Sequence, residues 1–163
     1  ANGLGCARAG IVLTSFAHET ETDLFGEQTV LCGGVTWLVL AAFETLVKAG
    51  YPPELAYIEC CHEVKQIADL IYARGLSGMA EAISNTAEFG EYATGPVVVD
   101  EHVRAKMDEI LEQIRNGDFM RRFRGDIEAG GTWFDAQRKA LSNHPIEQAG
   151  RTVRSMMPWL ETE

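Results

Sequence analysis

Positive charge is scarce in this chain: 14 lysines and arginines face 24 aspartates and glutamates, for a formal net charge of −10. A surface that neutralises phosphates needs the opposite balance, so neither nucleic acid nor an anionic membrane is expected as a partner. Cysteine is sparse as well. Cys6, Cys32, Cys60 and Cys61 show neither a zinc-ligand spacing nor a disulfide framework. Adjacent Cys60 and Cys61 point in different directions on a helix, so reduced, partly buried thiols in a cytoplasmic or other reducing compartment are expected. No apolar run is long, because Val35 to Phe43, interrupted by Thr36, falls short of a bilayer. No basic segment followed by a hydrophobic one opens the chain, so no signal peptide is expected. The dinucleotide fingerprint is missing too: in Gly3-Leu4-Gly5-Cys6-Ala7-Arg8 an arginine holds the third glycine position, and no strand precedes it. Those glycines read as a turn.

What remains is helical. The 163 residues are enough for one domain with a sizeable core, and no segment alternates with the period of a strand. From Leu24 to Lys48, Leu31, Val35, Leu38, Ala42, Thr45 and Leu46 recur at threes and fours, and Gly33-Gly34 inside that stretch predicts a kink or a close helix crossing. Gly50 stops this helix and Pro52-Pro53 starts the next, Glu54 to Tyr72, whose apolar residues cover more than half its circumference. Arg74-Gly75 ends it. A third helix is expected over Leu76 to Phe89, closed by Gly90 and Gly95-Pro96. Asp100 then caps a helix through Arg115, and shorter helices follow over Phe119 to Ile127, Trp133 to Leu141 and Pro145 to Met157. Trp133, Phe134 and Trp159 read as core or domain-packing residues, and Arg121-Arg122-Phe123-Arg124 as solvated surface. The fold class is all-α.

Two stretches carry the same device. Asp23 and Glu27 are four residues apart, and so are Glu59 and Glu63. On a helix that spacing puts both carboxylates on one face, where like charges repel by a few tenths of a kcal/mol, so helix stability alone does not select it. Four carboxylates converging from two helices would offer oxygen-only coordination suited to Mg²⁺. A plainer reading stands beside it. Asp23 after Thr22 can be a helix N-cap with Glu27 answering the dipole, and Glu59 and Glu63 sit on the shoulder between apolar and polar stripes, where glutamates are ordinarily solvated. His62, on the polar stripe, suits Mg²⁺ poorly as a ligand. Ser84 on its own reads as a core hydroxyl bonded back to a carbonyl.

An ordered series of short motifs adds a resemblance. Asp23-Leu24-Phe25-Gly26-Glu27-Gln28, Leu31-Cys32-Gly33-Gly34, Ala49-Gly50-Tyr51-Pro52-Pro53-Glu54 and Glu59-x-x-His62-Glu63 are followed by Ile83-Ser84-Asn85-Thr86-Ala87-Glu88-Phe89-Gly90, Gly95-Pro96, His144-Pro145-Ile146-Glu147 and Met156-Met157-Pro158-Trp159-Leu160. Together they resemble the C-terminal domain of ketol-acid reductoisomerase in its short-chain form, over nearly the whole chain. The resemblance implies a knotted all-α domain that dimerises. It also implies conversion of an acetohydroxy acid such as acetolactate to a dihydroxy acid in branched-chain amino-acid biosynthesis, by alkyl migration on two Mg²⁺ ions and reduction by NAD(P)H.

By the same resemblance, Asp23 would bridge both ions, Glu27 would complete one, and Glu59 with Glu63 would serve the other. Asp23, Glu27 and Glu63 would be the catalytic carboxylates, and Ser84 and Glu63 the groups touching substrate. In this family form the second helix's ligands come from the partner subunit, so a homodimer would share the site. Residues 1–163 would be a single domain, with the nucleotide-binding domain that precedes it in the family absent and the NAD(P)H site with it. The chain departs from the pattern at Ala80-Glu81-Ala82, where arginine-tyrosine-serine is expected, and at Trp37 and Leu40, where a small residue and a lysine are usual. A helical homodimerisation domain of the same fold without catalysis is the alternative.

Overall fold

The computed structural model describes residues 2–160, and among them there are helices and no strands. Helices α1 (Phe16–Gly26) and α2 (Gly33–Lys48) are joined by a π-helical turn, Glu27–Leu31, into one axis of 33 residues. Ser15 caps it, accepting from the His18 N–H at 3.1 Å. Asp23 is therefore mid-helix and caps nothing, which removes the plainer reading of that residue. This axis includes an 18-residue window long and apolar enough to cross a bilayer, only 17% of it buried. The sequence expectation measured the uninterrupted apolar run and so fell short of it. Core helices share that property, and α2 supplies core residues.

The axis ends where Gly50 and Tyr51 donate back to the Val47 and Leu46 carbonyls at 3.0 and 3.1 Å. Pro52 and Pro53 then open α3 (Pro53–Tyr57), which runs through a second π-helical turn, Ile58–His62, into α4 (Val64–Ala80). Gly75, at φ 71° and ψ 179°, breaks α4 where Arg74-Gly75 was expected to end it. The third helix departs from expectation. The chain turns at residues 81–83, Ser84 caps α5 (Asn85–Val98), and that helix runs through Gly90, Gly95 and Pro96. Internal glycines weaken a helix by only about 1 kcal/mol each, and this proline lies in the last turn, so neither stops it.

Helices α6 (Glu101–Arg115), α7 (Asp118–Glu128), α8 (Thr132–Ser142) and α9 (Pro145–Ser155) lie where the sequence put them. Asp100 caps α6 through the Val103 N–H at 3.0 Å. Asp126 of α7 accepts from the Trp133 and Phe134 N–H groups at 3.1 and 3.3 Å, tying the start of α8 to its neighbour. His144 caps α9, its Nδ1 accepting from Ile146 N–H at 3.2 Å while Nε2 faces Glu44 Oε1 at 3.0 Å.

The principal core is small and local. Leu40 and Phe43 of α2, Ala56 and Tyr57 of α3, and Ile146, Ala149 and Val153 of α9 meet in one cluster, with Ile58, Cys61 and Met157 at its edge. Leu40 is thus a core residue where the family pattern leads one to expect a lysine. Elsewhere, α1 leans on α6, where Arg115 Nε lies 3.4 Å from Glu21 Oε2, and α7 bridges α6 to α8. Much of the apolar surface stays uncovered: Tyr72 and Leu76 of α4 and Phe89 and Tyr92 of α5 are all exposed. The accessible surface is 12,628 Å² for a chain of 17.9 kDa. A compact monomer of that mass exposes about 8,000 Å², so about 4,600 Å² is in excess.

Candidate metal centre

Both carboxylate pairs stand at π-helical turns. Asp23 lies in α1, and Glu27 opens the first turn, whose i+5 bond runs from the Cys32 N–H to the Glu27 carbonyl at 2.9 Å. Glu59 lies inside the second turn and Glu63 closes it, donating its N–H to the Ile58 carbonyl at 3.1 Å. A π-turn holds one residue more than an α-turn, which re-aims the side chains around it; such turns are frequent at functional sites. Gly33 and Gly34 make the first one possible. A Cβ on either would fall 2.0 Å from the Gln28 oxygen or 2.1 Å from the Thr29 oxygen. Where a kink or a close helix crossing was expected at these glycines, the helix has this π-turn. The second has no counterpart signal, since Cys60-Cys61 is unremarkable as a sequence.

Asp23, Glu27, Glu59, Glu63 and Ser84 are all exposed. Ser84 is not a core hydroxyl: it caps α5, with Oγ accepting from the Ala87 N–H at 3.2 Å. His62 is half-buried. Among the described residues, no three or more His, Cys, Asp or Glu side chains come close enough to hold one metal ion. A single chain therefore does not bring the two pairs together. The donors themselves fit a hard divalent cation, being carboxylate oxygens free to rotate and unpaired with any cation in the described ion pairs.

Beside Glu27, the first π-turn forms one wall of an open groove of about 870 Å³ that α6 and α8 complete. Two smaller concavities, of about 400 and 560 Å³, continue it, and Trp133 and Phe134 line all three. Trp133, at 62% exposure, and Trp159, at 74%, are not core residues of this chain. Gln28 lines the large groove, and its Nε2 is buried with no hydrogen-bond partner among the described residues. The arginine cluster is solvated as expected and paired locally, Arg121 to Asp118 at 2.5 Å and Arg124 to Glu128 at 3.6 Å.

Behind the second π-turn lies a polar contact that no sequence signal announced. Tyr57, buried at the end of α3, accepts from Arg154 Nη1 of α9 at 2.8 Å, and the guanidinium stands 5.9 Å from the centre of its ring. Burial raises the Tyr57 pKa above its ordinary value and Cys61 adds to the shift, while Arg154 opposes it. Burial, with Glu59 and Cys61 nearby, also raises the Cys60 thiol. All four cysteines are free; Cys60 and Cys61 are half-buried as expected, whereas Cys6 and Cys32 are exposed.

Residues 16–159 match the family model for the C-terminal domain of ketol-acid reductoisomerase. Among solved structures, the chain is similar to an NADH-preferring ketol-acid reductoisomerase from an uncultured archean. The two are 44% identical with a TM-score of 0.89, over 92% of this chain and 45% of that one. The chain thus spans less than half the length of that relative.

Proposed function

The chain belongs to the ketol-acid reductoisomerase family, and from that premise we propose that it is the part of such an enzyme that holds divalent metal and an acetohydroxy acid. One observation carries the reading: each of the two carboxylate pairs stands exposed at a π-helical turn within the matched region. Asp23 and Glu27 of one chain, with Glu59 and Glu63 of the partner subunit, would hold Mg²⁺, which when bound acts as a Lewis acid on neighbouring oxygens.

The chain's own residues do the rest. The helix–π-turn–helix axes fix where the backbone of each carboxylate pair stands, so that the side chains have only their own rotamers to order when the ligand arrives. Ser84, at the start of α5, offers a hydroxyl to the substrate carboxylate. NAD(P)H would be supplied by a nucleotide-binding domain preceding this one in the complete enzyme.

A homodimer would fit the reading, because the pairs are apart within one chain and about 4,600 Å² of surface is in excess of a compact monomer. Obligate interfaces bury roughly 2,000–5,000 Å² or more in total, about half of it on each partner, so a second copy packed on α4 and α5 would cover a large share of that excess. The same excess favours the second reading, a dimerisation domain without catalysis. Metal binding separates the two. Mn²⁺, as a spectroscopic stand-in for Mg²⁺, should bind the wild-type chain and raise its melting temperature, and Glu63→Gln should weaken both effects. It should also leave stability in chelator equal or higher, because it removes one repelling charge. Equal responses of the two proteins would defeat the assignment.

A further inference from the structure

We propose that Tyr57, held by Arg154 and Gly150 of α9, is a positioning residue for the metal centre. It pins the helix at the residue before the second π-turn and so sets the direction of Glu59 and Glu63. The inference rests on the reading of those two glutamates as metal ligands.

A π-turn is a one-residue surplus, and nothing in its own hydrogen bonding fixes where along a helix the surplus sits. Moving it past Glu59 would rotate that side chain about the helix axis by roughly 100°, one residue's worth of turn. Something outside the turn must hold the register. On one side, α2 packs against Ile58–His62. On the other, α9 packs along α3, and the contact is specific. Gly150 lets the Tyr57 ring come so close that a Cβ there would lie 2.7 Å from its Cε2 and 2.9 Å from its Cζ. Arg154 Nη1 donates to the phenol oxygen at 2.8 Å, and its Nη2 stands 3.8 Å from Glu147 Oε2. The ring is held by Gly150 beside Cε2 and Cζ and by Arg154 at its phenol oxygen. Tyr57 cannot turn without breaking this arginine contact, and the surplus residue cannot move towards the N-terminus without turning Tyr57.

The test compares wild type with Tyr57→Phe, Arg154→Gln and their double variant, reading Mn²⁺ affinity by electron paramagnetic resonance at a temperature well below each melting point. Tyr57→Phe keeps the ring and its volume, so folding is retained; Arg154 is partly exposed, so Arg154→Gln leaves no large cavity. Each should weaken Mn²⁺ binding by about 3- to 10-fold, less than the ~10–100-fold typical of a group bonded directly to a ligand. The double variant should be no weaker than the worse single one, because both remove one hydrogen bond. Glu63→Gln is run alongside. If it binds Mn²⁺ as wild type does, the metal reading fails and the positioning role with it. If it binds weakly while Tyr57→Phe and Arg154→Gln bind like wild type, the positioning role alone is refuted.

Discussion

Replacing Gly33 by alanine sets two effects of opposite sign against each other. An alanine in place of a helical glycine ordinarily stabilises by about 1 kcal/mol. At this position the new Cβ would lie 2.0 Å from the Gln28 oxygen and 3.0 Å from its carbonyl carbon. Carbon and oxygen settle at roughly 3.3 Å or more, so the carbonyl would have to retreat by about 1.3 Å. That carbonyl is backbone inside the π-turn and cannot swing aside as a side chain can. Forcing such a contact costs about 1–3 kcal/mol or more, which exceeds the propensity gain for most of that range. A net loss of up to about 2 kcal/mol is expected, lowering the melting temperature by up to roughly 8 °C in a domain of this size. Gly125→Ala is the control, since a Cβ there in exposed α7 meets nothing within 4 Å and only the gain should remain. Urea unfolding at one fixed protein concentration measures both. If Gly33→Ala is as stabilising as Gly125→Ala, the close carbonyl approach does not exist and the account of the first π-turn is wrong.

Sedimentation at micromolar concentration should show a dimer with no stable folded monomer, because the uncovered faces of α4 and α5 need a partner; a compact monomer of full helicity would contradict this. The purified chain should not consume NADPH in the presence of acetolactate, and should do so once fused to a cognate nucleotide-binding domain; acetolactate-dependent turnover by the chain alone would overturn the proposed division of labour. Tyr57, whose pKa is raised above about 10 by burial, keeps its neutral form favoured in the folded state. Its contribution to stability is therefore complete below pH ~10 and is lost as pH rises through the folded pKa, so the wild type should lose stability more steeply than Tyr57→Phe in alkaline denaturation. Parallel curves for the two proteins would refute that role.

The element map was legible where caps and stops coincide with periodicity. Asp100 and Pro145 each open a helix that forms where it was expected. It failed at α5, where Gly90 and Gly95-Pro96 resemble stops and yet lie inside the helix, because a backbone already nucleated at Ser84 tolerates them. The carboxylate pairs were legible by spacing and motif. Their π-turns were half legible, Gly33-Gly34 marking the first and nothing marking the second. The Tyr57–Arg154 contact spans 97 positions and left no trace.

Sequence by itself determined what depends on neighbours along the chain: the all-α class, the capping of α6 by Asp100, the four-residue spacing within each carboxylate pair, and the motif order that marks the family. Those follow from local periodicity and backbone chemistry, which act over four or five residues. Tertiary structure alone decided that Leu40, Phe43, Tyr57 and Val153 form the core while Trp133 and Trp159 stay outside it. It alone separated the two carboxylate pairs within one chain and set α9 behind the second of them. The physical reason is that burial is shared between surfaces distant in sequence, and an apolar residue goes inside only where another element arrives to cover it.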